Sequence, residues 1–328
     1  MNQISILVAA YNAVETLPKC LDSLCHQTLR EIQILCVDDC STDDTLSLLR
    51  NRAKMDDRIK VLQTPVNSGQ AVARNLALQH VDAPYVCMVD ADDWLSPDAL
   101  QSALDTFRQH PQTDCCVFRL MQHYEDGREE DFGLPAKLAL DEALTGQEAF
   151  ELCLDGWQLH GLYVTRTTLH RQLPFDTSTR LYSDDNTSRL HYLHSREVRA
   201  CAGVYYYRKH PASMTLSFNF RRFDYMEASL SLLLTLKKEH VANDLIRRYE
   251  THRWAIFIGC YRLYLQHEDE LSAEQVAGLK ERFATILHTF RPSRLPRKAR
   301  WKPGYWLTTS LPLFDLQQRA YRLVRPKA

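Results

Sequence analysis

Four short runs, Ile4-Ser5-Ile6-Leu7-Val8, Ile32 to Val37, Ile59-Lys60-Val61-Leu62 and Tyr85 to Val89, are rich in β-branched and apolar residues. Segments of helical spacing separate them, so the pattern predicts successive βαβ units. Runs this uniformly apolar suit strands covered on both faces, and therefore a mostly parallel sheet flanked by helices. In such a sheet ligands gather beyond the carboxyl ends of the strands. A polar cluster follows each run: Tyr11-Asn12, Asp38-Asp39, Asn67-Ser68-Gly69 and Asp90 to Asp93. The four clusters are expected to line one crevice of an α/β, Rossmann-like domain.

Cys115 to Phe118 reads as a further strand, and Glu125-Asp126-Gly127-Arg128-Glu129-Glu130 as a loop or hairpin tip. Between about 141 and 215 short helical patterns mix with an aromatic strand, Val204 to Arg208, which extends the sheet. From Phe223 the period becomes helical through Leu230 to Leu236, Leu245 to Leu265 and Val276 to Phe290. The expected organisation is a domain over 1–218 and a C-terminal helical appendage over 219–328. Within the second, Arg291, Arg294, Arg297, Lys298, Arg300 and Lys302 interleave with and precede Trp301, Tyr305, Trp306, Leu311 and Phe314.

Composition narrows the picture. The 328 residues are 45% hydrophobic, enough for a core that needs no covalent staples. A formal charge of −1 argues against a nucleic-acid binder. Ten cysteines lack the paired CxxC spacing of zinc sites, and most sit in apolar runs, so they read as buried thiols. Met1-Asn2-Gln3 leads straight into Ile4 to Ala10 without the basic head and cleavage site of a secretion signal. A cytoplasmic location is expected, and no apolar run approaches the ~20 residues of a membrane span.

Asp90-Ala91-Asp92-Asp93 carries three acids at a strand end, ahead of a helix start at Ser96-Pro97-Asp98 in which Ser96 suits the cap. Crowded carboxylates repel one another unless a cation or a proton relieves them, so the cluster predicts a divalent metal and, through it, an anionic substrate. Asp38-Asp39-Cys40-Ser41-Thr42-Asp43 reads either as a strand end with a helix cap or as a carboxylate that accepts a nucleotide donor group.

Together these segments resemble the family 2 nucleotide-sugar glycosyltransferases of the GT-A fold, bacterial surface-polysaccharide type. The likeness covers roughly the first two-thirds of the chain. Its marks are Val8-Ala9-Ala10-Tyr11-Asn12, then Asp38 to Asp43, then Asn67, Gly69, Ala73, Arg74 and Asn75, then the cluster at 90 to 93. The resemblance implies that Ala9 and Tyr11 hold the base, Asp39 the uracil, Arg74 the nucleotide's polar edge and Asp90 the ribose. Asp92 or Asp93 would ligate Mn2+ or Mg2+ on the diphosphate of a UDP-sugar. Asp185, in Ser183-Asp184-Asp185-Asn186, would be the base of an inverting transfer to a glycan or lipid-linked glycan, with Asp184 or Asp185 alternatively capping a helix over 187–193. Arg208 and His210 would close over the diphosphate, and the basic and aromatic stretch 291–314 would rest on the inner face of the cytoplasmic membrane. Many relatives carry Pro at the position of Ala9 and Glu at that of Asp184, and neither change removes a required functional group. A lysine common in relatives is absent around His160 to Tyr163. Two other readings compete. A nucleotidyltransferase would want a glycine- and basic-rich loop that Ala9 to Ala13 does not offer, and a non-catalytic nucleotide-sugar-binding subunit would use the acidic pair only as a cap.

Overall fold

The computed structural model describes residues 1–154, 156–209, 218–291, 294–300, 306, 308 and 310–324. The chain divides into two compact units, Met1–Phe218 and Asn219–Ala328. In the first, the strands are β1 (Ile4–Ala10), β2 (Ile32–Asp38), β3 (Ile59–Gln63), β4 (Tyr85–Met88), β5 (Trp94–Leu95), β6 (Thr113–Tyr124), β7 (Glu129–Asp131), β8 (Tyr163–Arg166) and β9 (Glu197–Lys209). The helices between them are α1 (Leu17–Cys25), α2 (Thr45–Met55), α3 (Gln70–Gln79), α4 (Ala99–Gln109), α5 (Ala136–Ala139), α6 (Gly146–Leu152), α7 (Thr167–Gln172) and α8 (Ser183–Leu193).

All nine strands form one sheet in the order β3-β2-β1-β4-β8-β6-β9-β5, with β7 paired to β6. β1 to β4 run parallel, and β6 pairs parallel with β9. β8 lies between β4 and β6 and runs against both. Alternation along the strands explains the two-sided cover. Ile4, Ile6, Val8, Ile34 and Cys36 join one apolar cluster with Leu17, Leu21, Leu24, Leu100 and Leu104 of α1 and α4. Leu7, Leu35, Val37 and Val86 join another with Ala71, Ala73, Ala77 and Leu78 of α3. The period of two thus sorts successive residues to opposite faces, and helices close both.

The sequence left three strands unread. β5 is two residues long, β7 is the return arm of the hairpin turned at Gly127 (φ +83°), and β8 carries only four residues. Too short for a period, each is fixed by its partner strand. The aromatic strand also extends further back than 204–208, to Glu197, because it borders the long β6. All ten cysteines are free, eight of them buried.

Under the sheet's edge lies a histidine pair. His170 packs against Phe175, ring centroids 4.8 Å apart, and against His191 at 4.6 Å. Tyr163 Oη bonds Nδ1 of His191 at 2.8 Å, and His191 Nε2 donates to the Leu173 carbonyl at 2.8 Å. Burial pulls His191 down to about 4 and holds His170 well below the ordinary histidine range, so the folded chain keeps both neutral.

The second unit is helical: α9 (Tyr225–Lys238), α10 (Asn243–His267), α11 (Ala273–Leu287), the short α12 (Arg297–Arg300) and α13 (Leu311–Val324). Its core is aromatic, with Phe314 of α13 within 5.0–5.6 Å of the rings of Trp254, Phe257 and Tyr261. Buried Glu250 is paired with Arg253 at 2.8 Å.

Because unfolded histidines take up protons below about pH 6.5 and the buried pair refuses them, stability falls as pH drops from about 6.5 toward 4. His170→Leu removes one such group, so the urea-denaturation stability of the variant relative to the parent should improve by about 1.4 kcal/mol for each pH unit between 6 and 5. A stability difference that stays constant over that interval would contradict this assignment.

Candidate active site

The parallel strands β1 to β4 bring their carboxyl ends to one edge, with Ala10 opposite Asp38 and Asp38 opposite Gln63. The loops there are laced by side chains that satisfy backbone groups. Asn12, at φ +48°, donates its N–H to Ser41 Oγ at 3.0 Å and accepts from the Thr42 N–H at 2.8 Å. Ala13 N–H donates to Thr45 Oγ1, and Val14 N–H to Asp43. Cys40 occupies the left-handed region at φ +60°, which normally favours glycine. Tyr11 stands half-exposed at this edge, and Ala9 is half-buried.

Asp39 is 2% exposed, and three donors hold its carboxylate: Thr64 Oγ1 at 2.7 Å, Ser68 N–H at 2.9 Å and Gly69 N–H at 2.7 Å. It therefore ties the β3–α3 loop to the end of β2. A carboxylate offers about four lone-pair positions, so one direction stays open to a ligand. Gly69 itself sits at φ +91°, a conformation that a side chain would strain.

Past β4 the acidic turn is held from outside. Asp93 N–H donates to the Asp90 carbonyl at 3.1 Å. Tyr205 of β9 accepts from the Asp90 N–H at 3.1 Å and donates to Asp93 Oδ2 at 2.9 Å. Arg208 donates its N–H to Asp93 Oδ1 and its Nε to the Asp92 carbonyl, both at 2.8 Å. Asp93 is thus 1% exposed with both oxygens engaged, while Asp90 and Asp92 are half-buried. One oxygen from each of the three lies within 4.8 Å of the others. Three hard oxygen donors this close fit Mn2+ or Mg2+, with Asp90 and Asp92 the more open members.

Arg74 is 1% exposed, ion-paired with Asp90, and lies 5.4 Å from the Phe175 ring centroid, while its Nε and Nη1 find no protein acceptor. Burial nevertheless pushes Asp90 up to about 6, with Arg74 opposing and the charges of Asp92 and Asp184 adding to the rise. Burial, reinforced by Asp90 and Asp92, also raises Asp93 well above the carboxylate range.

α8 begins at Ser183, four residues earlier than the helix expected over 187–193, so Asp184 and Asp185 occupy its first turn and neither caps it. Tyr182 precedes it at φ +66°. Asp185, its side chain 23% exposed, lies 3.8 Å from Arg189 Nη1. Two clamps tie the strap before α8 to α3 and its loop. Asn75 and Phe175 exchange side-chain and backbone bonds at 2.9 and 3.0 Å, and Arg180 reaches Asn67 Oδ1 and its carbonyl at 3.2 Å. Opposite, a Cβ on Gly161 would meet Ser188 Oγ of α8 at 2.4 Å, so the segment before β8 is pressed onto this helix.

Two expectations change. Ser96 does not cap α4, which starts at Ala99. Its hydroxyl accepts from the Val204 N–H at 3.0 Å and donates to Asp98, because Trp94–Leu95 has joined the sheet beside β9. Arg208 braces the acidic turn and lies 5.2 Å above the Trp94 ring. The helix over 187–193 is longer, as described. His210 lies outside the described residues. Tyr205 was missed as the residue that holds the turn, although its place in the run Tyr205-Tyr206-Tyr207 gave a signal: along a strand only one parity faces inward, and Tyr205 is fully buried.

Residues 5–166 match the model of glycosyl transferase family 2. The chain carries a family 2 glycosyltransferase domain. The chain is 28% identical over 222 residues to the uncharacterized glycosyltransferase EpsJ of Bacillus subtilis, covering 65% of this chain and 62% of that protein. It is 39% identical over 121 residues to a poly(ribitol-phosphate) beta-glucosyltransferase of Bacillus spizizenii, covering 36% of this chain and 19% of that one. The matches thus span less than two thirds of these relatives. Among solved structures, S. aureus TarS 1-349 superposes with a TM-score of 0.71 at 19% identity, over 98% of this chain and 92% of that one. The same TarS fragment in complex with UDP-GlcNAc gives a TM-score of 0.70. The family 2 domain has the GT-A fold, and the helical C-terminal region belongs to the same superposition.

Tyr205→Phe strips Asp93 of a donor and the Asp90 N–H of its acceptor, and should lower stability by about 1–3 kcal/mol in thermal or urea unfolding. Gly161→Ala should lower it by about 1–3 kcal/mol through the clash with Ser188.

Proposed function

We propose that this chain is an inverting, metal-dependent glycosyltransferase that moves a sugar from a UDP-sugar to a glycan or lipid-linked glycan acceptor in surface polysaccharide synthesis. The observation that carries the reading is the three-carboxylate turn at 90 to 93, its oxygens within 4.8 Å of one another, in a family 2 sheet whose α3 is clamped to the strap leading into α8. The family 2 match supports the reaction class. The donor assignment is supported by the UDP-GlcNAc complex of TarS, a protein of the same fold. A surface-polymer acceptor is supported by the poly(ribitol-phosphate) glucosyltransferase relative.

In this reading Tyr11 and Ala9 flank the base, and Asp39 offers its remaining lone pair to the uracil imide while it fixes the loop. Arg74, whose Nε and Nη1 find no protein acceptor, presents them to the nucleotide and holds Asp90 toward the ribose. Asp92 and Asp90, with Asp93 behind them, would hold Mn2+ or Mg2+. A divalent ion bound there supplies positive charge for the departing nucleoside diphosphate. The Mn2+ complex of a Pyrobaculum calidifontis mannosyltransferase, TM-score 0.55, supports the choice of metal. Asp185 takes the proton of the acceptor hydroxyl as that oxygen attacks the anomeric carbon from the face opposite the diphosphate, so configuration inverts. Arg189 Nη1, 3.8 Å away, is the countercharge beside it. The reaction is placed at the inner face of the cytoplasmic membrane.

Incubation with UDP-sugars, Mn2+ and candidate polymer acceptors tests the whole reading. Nucleoside diphosphate release supports transfer, pyrophosphate release from UTP and a sugar 1-phosphate supplied in place of the UDP-sugar would indicate nucleotidyltransfer, and saturable binding without turnover would indicate a binding subunit. Asp185→Asn should lower transfer by about 10²–10⁴-fold while donor affinity is nearly unchanged. Asp92→Ala should weaken Mn2+ binding by at least roughly tenfold, read by electron paramagnetic resonance of the free ion.

A further inference from the structure

The charge of the chain is unevenly placed. Residues 288–328 contain ten Lys and Arg against a single acid, Asp315, while the preceding 287 residues hold thirty basic and forty acidic side chains. A chain near neutrality overall therefore concentrates its positive charge in one segment, and α13 lies inside it. The inner face of α13 is settled: Phe314 is fully buried and Gln318 is 2% exposed. Asp315 accepts from Tyr261 Oη at 2.7 Å, Arg319 pairs with Glu268 at 2.8 Å and with Asp315 at 2.9 Å, and Arg322 donates to the Leu265 carbonyl.

The opposite stripe carries Leu313, Leu316, Ala320 and Leu323, spaced three, four and three residues apart. These leucines are 60%, 66% and 85% exposed. Three leucines on one helical stripe, with the flanking arginines turned to protein partners, make an apolar ridge inside a strongly basic segment. That combination fits the boundary between headgroups and acyl chains of an anionic bilayer, where basic side chains meet lipid phosphates and leucines enter the acyl region. No described helix is long and apolar enough to cross a membrane, so the contact is one of lying on the surface. We propose that α13 docks this chain on an anionic lipid surface through Leu313, Leu316 and Leu323, with the basic segment 288–328 supplying the attraction. The contact sits further along than the stretch 291–314 expected from sequence, because only in the helix do the leucines align. It deepens the membrane placement proposed above, yet it is read without turnover, so failure of the transfer reaction leaves it standing and its own failure leaves the transfer reading intact.

The test is co-sedimentation of the full chain with vesicles of phosphatidylglycerol and phosphatidylcholine, against vesicles of phosphatidylcholine alone. The parent should pellet with the anionic vesicles, fail to pellet with the neutral ones, and be released at about 0.5 M salt. The variant L313S/L316S/L323S should keep its circular-dichroism spectrum and thermal midpoint while its vesicle affinity falls by about tenfold or more. Equal pelleting of parent and variant would overturn the proposal. So would a parent that ignores anionic vesicles and binds a soluble poly(ribitol phosphate) instead. A parent that is dimeric in sedimentation equilibrium while the variant is monomeric would assign the ridge to a second copy and overturn it equally.

Discussion

Mutual repulsion among three carboxylates at the end of β4 is the constraint around which the first unit is arranged. Left to itself the turn at 90 to 93 would spread or take up protons. It does not spread, because a strand more than a hundred residues away supplies Tyr205 and Arg208 as braces, and α3 supplies Arg74. These contacts fix the geometry while burial, with the neighbouring charges adding, keeps Asp90 at about 6 and Asp93 above the carboxylate range. In the proposed reaction a hard divalent cation would balance the cluster.

Two halves of the sheet meet at this turn. The β1–β4 half offers loops stiffened by their own side chains, with Asn12, Ser41, Thr45 and Asp39 each closing a backbone donor or acceptor. The other half brings in α8. Asn75 and Asn67 join them through Phe175 and Arg180, so α3 and the loop before it also set the position of the strap leading into the helix that bears Asp184 and Asp185. In the proposed reaction this coupling holds base and donor in one frame, which is what an in-line displacement demands.

The parallel half was legible because its strands are long enough to show uniform apolarity and each ends in a polar cluster. The long helices of the second unit were legible for the same reason of period. What stayed hidden was set by distant partners. β5 is a strand because Trp94 and Leu95 lie against Tyr206 and Tyr205, and that pairing takes Ser96 away from the helix it was expected to cap. Asp39 illustrates a subtler limit: sequence marks it as a ligand, and the three donors it accepts show that it is a structural tie as well. Arg208 read as mobile because a basic residue after an aromatic strand carries no sign of the turn it will brace.

The reversal of β8 has a consequence for how this architecture diversifies. With Tyr85 opposite Arg166 and Cys87 opposite Val164, β8 enters the sheet at the same edge where β4 leaves it. The stretch from the hairpin tip to Gly161 is therefore handed over next to the carboxylates, while its apolar residues, among them Leu138, Leu144, Ala149 and Leu159, pack in a separate cluster with Val117 and Val198. The outer rim of that insert can drift, lengthen or be exchanged without disturbing the parallel half. Such a layout lets a lineage vary one half of the sheet while keeping the other.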